Sequence, residues 1–254
     1  MSTLQDDLVL ITGSSRGLGL AIARAFHAHG AQIVLNYISP TSATPTSTIA
    51  QELSAIAIQA DVTDPTAVRS LFAQAEAHYN RPISVVVNNA LAPFSFNGDA
   101  RQKIEDITWS SFDAQLKGAV QAALNTTQAA LPGFETLGHG RIINIGSNLV
   151  QHPVVPYHDY TSAKGALLAF TRTCAAELGP KNITVNMVSG GLLRVTDASR
   201  ETPEEVFESV QAATPLRRVT TPEEVSGAVL FFASAWGRGV TGQNLGVDGG
   251  LVMG

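Results

Sequence analysis

The chain of 254 residues has one cysteine, Cys174, so no intrachain disulfide is open to it and a disulfide-stapled secreted fold is excluded. Cys174 lies in an apolar helical stretch that suits a buried thiol, which fits a reducing, cytoplasmic setting. Nowhere does an apolar run reach the roughly 18 residues that a membrane span requires, so no membrane association is expected. Met1 to Asp7 carries no basic region and no long apolar run, which argues against the usual secretory signal. Basic clusters are missing too. With a net charge of −5 and both signs dispersed, there is no surface to displace counterions from phosphates, and nucleic acid is not an expected partner. The histidines, His27, His29, His78, His139, His152 and His158, show neither an H-E-x-x-H nor a paired-carboxylate spacing, so no metal site is expected. Internal repeats and low-complexity tracts are absent as well.

What is present is a core. Hydrophobic residues make up 44% of the chain, enough for one α/β domain spanning residues 1–254. Leu8 to Ile11 is a four-residue apolar run leading into Thr12-Gly-Ser-Ser-Arg-Gly-Leu-Gly19, after which Leu18, Ala21, Ile22, Ala25 and Phe26 recur at helical spacing. Strand, glycine turn and helix start together make an anion site: glycines let backbone approach a pyrophosphate, and free helix N–H groups point at it. Gly13, Ser15, Arg16, Gly17, Leu18 and Gly19 are the candidate dinucleotide-binding residues of that turn.

Further strands are read at 32–36, 55–60, 83–87, 142–145 and 183–188, with a last one near Leu245. Ser39 to Thr48 reads as an exposed loop before a short helix, Asp61 as the cap of a helix beginning near Pro65, and Thr108 to Leu131 as one long helix. Pro222 begins another helix.

Ile142 to Ile145 ends just before Ser147, at the carboxyl end of a buried strand, where open α/β sheets place their ligands. Thirteen residues after Ser147 comes Tyr160-Thr-Ser-Ala-Lys164. Four-residue spacing on a helix puts Tyr160 and Lys164 on one face, and a nearby ammonium is expected to lower the phenol's pKa towards working pH. Such a phenol is a proton donor for ketone chemistry.

These three features, T-G-x-x-x-G-x-G, a serine and Y-x-x-x-K, resemble the short-chain dehydrogenase/reductase family over nearly the whole chain. Within it, T-G-S-S-R-G-L-G and V-T-G-Q-N-L-x-V-D-G-G look most like 3-oxoacyl-[acyl-carrier-protein] reductases. The resemblance implies a doubly wound Rossmann-type parallel sheet of about seven strands with helices on both faces. It implies Ser147, Tyr160 and Lys164 as the catalytic residues of a ketoreductase. It further places Asp61 and Val62 against the adenine, Asn89 at the cofactor ribose beside Ala90, and Leu193 and Thr196 near the nicotinamide. The segment 191–215 would be a substrate lid.

Four departures from the family pattern stand out. Ala119 holds the place of a fourth catalytic residue, an asparagine, with Gln115 one turn earlier as a candidate substitute; Leu91 replaces a glycine; Gly190 replaces a proline, which should loosen its turn; and Val195 holds the usual place of a threonine. A second reading follows from them, a cofactor-binding member with lost or altered redox activity that serves as sensor, scaffold or non-redox catalyst.

At the end of the second strand Asn36 stands where NAD-specific folds carry an acid. With no carboxylate to repel a 2′-phosphate and Arg16 able to pair with one, NADP(H) is favoured over NAD(H). Leu91, His152, Tyr157 and Gly191 are the candidate substrate-lining residues, and the bulky wall Pro153 to Tyr157 points to an apolar or aromatic carbonyl compound. An acyl-carrier protein is only half supported as a partner, because Lys181 fits one basic docking position while Gly138 occupies the other. The long helix and the tail Leu251 to Met253 suit a homodimer or homotetramer interface.

Overall fold

A computed structural model describes residues 4–94, 96, 101–194, 196 and 199–253. Short β-branched runs become strands β1 (Leu8–Ile11), β2 (Gln32–Tyr37), β3 (Ile56–Gln59), β4 (Val85–Asn88), β5 (Gly140–Ser147), β6 (Ile183–Gly190) and β7 (Asn244–Val247). They form a seven-stranded sheet in the order β3-β2-β1-β4-β5-β6-β7, with every pairing parallel. Because the order reverses between β1 and β4, a crevice opens at their carboxyl ends, where this class of sheet binds dinucleotides.

Successive strand residues point to opposite faces, so each central strand feeds two cores. On one face Leu8, Leu10, Val86 and Ile142 pack with Leu71, Phe72 and Phe134. These last belong to helices α3 (Pro65–Tyr79) and α5 (Ala122–Leu137). On the other face Val9, Ile11, Val87 and Ile143 meet Ile22, Phe26, Val229 and Phe232. Those come from α1 (Gly17–Ala28) and α8 (Pro222–Ala233). Four more helices complete the described α-helices: α2 (Ala43–Glu52), α4 (Trp109–Leu116), α6 (His158–Leu178) and α7 (Glu204–Ala213). None of the helices is long and apolar enough to cross a membrane, among the described residues.

Four local expectations are corrected. The stretch read as a loop at 39–48 is largely helical: a 3-10 turn at Pro40–Ser42 runs straight into α2. Thr46 and Thr48 donate their hydroxyls to carbonyls four residues earlier, so the polar composition that suggested a loop is absorbed inside the helix. Asp64, not Asp61, caps α3, its carboxylate accepting from the Thr66 N–H at 2.8 Å. Asp61 instead closes a local turn onto Thr63.

The long helix is α4 (Trp109–Leu116), a π-helical stretch over Lys117–Gln121, and then α5, which runs through Pro132 to Leu137. It stops where Gly138 adopts φ +70°, a left-handed cap that glycine takes without strain. Gly190, finally, does not loosen a turn. It is the last residue of β6, paired between Ser147 and Val247.

Candidate active site

Strand β5 is buried along its whole length and delivers Ser147 to the carboxyl edge of the sheet. Helix α6 is tied to that strand by two buried hydrogen bonds. The Lys164 ammonium donates to the Ile145 carbonyl at 2.7 Å, and the Asn144 amide donates to the Thr171 hydroxyl at 2.8 Å. With the helix so fixed, the Tyr160 phenol comes close enough to Ser147 for the hydroxyl to favour its ionised form, and the ammonium stands 5.7 Å from the centre of the Tyr160 ring. Ser147, Tyr160 and Lys164 thus converge, each about one-twentieth exposed.

The electrostatics differ from the sequence expectation. Burial pushes the Tyr160 phenol up to about 12; the hydrogen bond from Ser147 opposes this in part, and neighbouring Tyr157 adds to it. Burial likewise draws the Lys164 ammonium down to about 8. Desolvation disfavours the charged form of both groups, and the ammonium spends a hydrogen bond on a strand carbonyl. In the protein alone, Lys164 therefore does not acidify Tyr160.

The glycine turn is built for close approach. Gly13 and Gly17 adopt φ +62° and +55°, and a Cβ at Gly13 would lie 2.9 Å from Ala90 Cα. A Cβ at Gly19 would come within 2.5 Å of both the Asn89 amide nitrogen and the Gly13 carbonyl. The first turn of α1 has no acidic residue and its N-cap, Arg16, supplies no side-chain cap, so the helix N–H groups face the crevice as an anion site. Ser15 and Leu18 are half-buried there and Arg16 is exposed. Across the turn, Thr196 Cβ stands 3.8 Å from where a Gly17 Cβ would be. These residues fit a dinucleotide pyrophosphate.

Several expected contacts are redirected. Asn36 is buried, its Oδ1 accepting from the Gly13 N–H at 3.1 Å and its amide donating to the Ala60 carbonyl at 3.0 Å. It braces β2 against the turn and β3, leaving no amide hydrogen-bonding capacity aimed at a ribose. Asn89 also works internally, donating to the Thr12 and Gly13 carbonyls at 2.9 and 3.1 Å. Its neighbour Ala90 donates its N–H to the Thr12 hydroxyl. Asp61 is exposed, whereas Val62 is packed in the core. Leu193 forms a single parallel bridge with Thr220.

On the substrate side, Tyr157 is buried, Leu91 is partly exposed and His152 lies in solvent. Gly191 sits so close to Asn148 and Asp248 that a Cβ would meet both at 3.0 Å. The Val195 position lies outside the described residues, as do Asp197 and Ala198 of the expected lid. Gln115 is buried and its amide donates to the Pro93 carbonyl, while Ala119 lies in the π-helical stretch among apolar neighbours.

Sequence reading missed the aromatic wall over Tyr160. Phe94 stacks on the Tyr160 ring with centroids 4.5 Å apart, and Phe96 meets it edge-on at 5.6 Å. Both rings also contact Tyr157. Arg101 lies 4.2 Å above Phe94 and forms an ion pair with Asp159. The only signal in the sequence was an acid directly before Tyr160, with its partner 58 residues away.

A three-layered parallel sheet with a glycine turn at its switch point, and a serine, tyrosine and lysine gathered beside it, defines a dinucleotide-binding oxidoreductase. The family model described as Enoyl-(Acyl carrier protein) reductase matches residues 13–252, and the chain belongs to the short-chain dehydrogenase/reductase family. It is 34% identical to elsinochrome reductase 1 of Elsinoe fawcettii, over 99% of this chain and 97% of that one. It is also 34% identical to the 3-oxoacyl-[acyl-carrier-protein] reductase of Pseudomonas aeruginosa, over 99% of both. Among solved structures, a blue fluorescent protein from a metagenomic library in complex with NADPH is 35% identical, with a TM-score of 0.87 over 99% of this chain and 100% of that one.

The bracing role of Asn36 makes a prediction. Asn36→Asp turns a donor into a carboxylate facing the Ala60 and Ile58 carbonyls, and should destabilise the cofactor-free protein by roughly 1–3 kcal/mol. Thermal unfolding checks this; an unchanged midpoint would mean that the amide contributes nothing.

Proposed function

We propose that the protein is an NADP(H)-dependent ketoreductase, reducing an apolar or aromatic ketone, of the 3-oxoacyl or a similar type, to a secondary alcohol. The observation that carries this is the meeting of Ser147, Tyr160 and Lys164 at the carboxyl end of β5, beside the glycine turn.

When bound, the reduced nicotinamide supplies the hydride. The Tyr160 phenol, still protonated at any working pH because burial holds it near 12, donates its proton to the carbonyl oxygen as negative charge develops there. Ser147 donates a hydrogen bond to the same oxygen, so the two groups fix its position and stabilise the alkoxide. Lys164, charged below about 8, is assigned to the nicotinamide ribose hydroxyls. The phenyl wall excludes water from these groups, which strengthens each polar contact.

The preference for NADP(H) is supported by the absence of a carboxylate at Asn36, by exposed Arg16 in the glycine turn and by the NADPH held in the 35%-identical neighbour. The names of the reductase relatives favour carbonyl reduction as the working direction. Residues 1–254 act as one domain, with 191–215, which includes α7, as substrate lid. A homodimer or homotetramer is favoured by the exposed Trp109 on α4 and the exposed Met253 near the carboxyl terminus. The free, buried thiol of Cys174 favours a cytoplasmic setting.

Consumption of NADPH, followed at its nicotinamide absorbance with a panel of β-ketoesters and cyclic ketones, tests the reading. Tyr160→Phe is expected to lower kcat/KM by about 10²- to 10⁴-fold while leaving NADPH affinity nearly intact. Activity retained in that variant would end the assignment of the proton donor.

In the wild type, kcat/KM for reduction should fall as pH rises through about 8, where Lys164 loses its proton, since Tyr160 remains protonated well beyond that point. A profile flat to pH 10 would remove the ammonium from the mechanism.

Arg16→Ala is expected to weaken NADPH binding about tenfold or more and NADH binding little, as measured by calorimetry. Equal weakening of both would argue against a 2′-phosphate contact.

A further inference from the structure

Asp159 precedes the candidate proton donor on α6 and is almost wholly buried, its side chain 4% exposed. An ionised carboxylate there carries a large desolvation cost unless it is paired in good geometry. Its partner is Arg101, whose guanidinium donates to both carboxylate oxygens, at 2.8 and 2.7 Å. The same guanidinium lies 4.2 Å from the centre of the Phe94 ring and 5.8 Å from that of Tyr157. Phe94 in turn stacks on Tyr160 at 4.5 Å, with the planes inclined by 30°. An unbroken chain of contacts thus runs from Asp159 through Arg101 and Phe94 back to Tyr160, the residue next to its starting point.

The chain differs from an ordinary surface ion pair. Exposed pairs are screened and weak, but here the Arg101 Nη2 meets both oxygens of a buried carboxylate while the planar guanidinium lies over an aromatic face, a stacking that arginine and not lysine provides. Asp159 also lies in the first turn of α6, where negative charge is favoured, yet a helix-end charge could be met in solvent and need not be buried. Beyond the pair lies a polar cavity of about 460 Å³, lined by Pro93, Ser110, Gln115, Arg101 and Asp159. Arg101 is therefore directed by its two partners, not wedged by tight packing.

We propose that Asp159 and Arg101 are positioning residues for the reduction, and that Phe94, which they hold against the Tyr160 ring, is the residue that sets specificity. This rests on the ketoreductase reading of Tyr160. Phe94, Phe96 and Tyr157 present one continuous aromatic wall beside the phenol that must meet the carbonyl oxygen. Clipped in place, the wall gives a flat apolar ketone a surface on which to lie and gives a short, flexible, polar ketone little. Released, it would contact both classes poorly and the preference would shrink. The rings also cover the Tyr160 face, and Tyr160 is buried.

The test compares 2-tetralone, flat and bicyclic, with ethyl acetoacetate, small and flexible, as substrates of the full-length enzyme with NADPH. Phe94→Ala should lower the ratio of the two kcat/KM values, tetralone over acetoacetate, by about fivefold, chiefly through KM. Asp159→Asn should lower the same ratio by a similar factor, and the double variant should fall no further than Phe94→Ala alone, because both act through one ring. If Asp159→Asn does not fold, Arg101→Met carries the same cycle from a residue one-fifth exposed, and Arg101→Lys, which keeps charge without the planar face that stacks on Phe94, should not restore the ratio. A ratio unchanged in Phe94→Ala, or additive losses in the double variant, overturns the proposal while leaving the ketoreductase reading intact. A wild type that binds NADPH yet reduces neither these ketones nor the wider panel overturns both.

Discussion

The hydrogen bond from the Lys164 ammonium to the Ile145 carbonyl, 2.7 Å long and buried, is the contact on which the site depends. A lysine charge taken out of water needs a strong acceptor, and a strand carbonyl two residues before Ser147 is a fixed one. The bond sets the rotation of α6 relative to β5, and that rotation decides whether Tyr160 points at Ser147 or away from it. Asn144 and Thr171 repeat the tie two turns further along the helix. With the Lys164 ammonium given to the Ile145 carbonyl and burial raising the Tyr160 phenol, the tyrosine is neutral and not a preformed phenolate. Reduction needs that neutral donor. The reverse reaction would need the charge that burial disfavours, and so the electrostatics favour the same direction as the proposed use of NADPH.

Much of this fold was legible because its signals are local. Apolar runs such as Leu8–Ile11 and Val85–Val87, buried on both faces, can scarcely be anything but central parallel strands, and the glycine turn follows the first of them directly. What failed depended on partners distant in sequence. Asn36 stands on β2 at a position that suggests a cofactor contact, but its amide is consumed by Gly13 and Ala60, which only the folded sheet brings to it. The tyrosine's pKa was misjudged for a related reason. Helical spacing announces that a cation is near, while the burial that outweighs it comes from Phe94 and Phe96, which no periodicity connects to Tyr160. Asp61 and Asp64 were confused because both precede Pro65 and both accept from a backbone N–H two residues on.

The aromatic wall and the ion pair behind it add a constraint that the geometry of a strand-end serine and a helical tyrosine–lysine pair does not require. A buried Arg–Asp pair is poor evidence of stability, since a well-packed apolar pair in its place is often neutral or better. Its value lies in direction. The guanidinium is held through Nη2 at both carboxylate oxygens, and its face lies over Phe94, so the ion pair and the stacking together fix where the ring sits. Orientation passes from a rigid helix to a residue on the irregular connection after β4, where hydrogen bonds of regular structure are not available to fix it. In this way a loop side chain can be held nearly as firmly as one on a strand.

The same reasoning bears on Ala119. An asparagine at this place would put an amide on the helical stretch facing α6, but the neighbours here are Ala123, Leu167, Leu168 and Met187, an apolar cluster in which an unpaired amide would be costly. Gln115 does not replace it, because its amide already donates to the Pro93 carbonyl and so supports the connection that carries Phe94. Lys164 has a strand carbonyl and the phenol ring as near neighbours. Widening of the helix over Lys117–Gln121 places backbone carbonyls off the regular i→i−4 ladder beside α6, and such π-helical turns gather at functional sites. On the ketoreductase reading, a proton path that refills Tyr160 would run through backbone and water beside this stretch, since Ala119 offers no amide there.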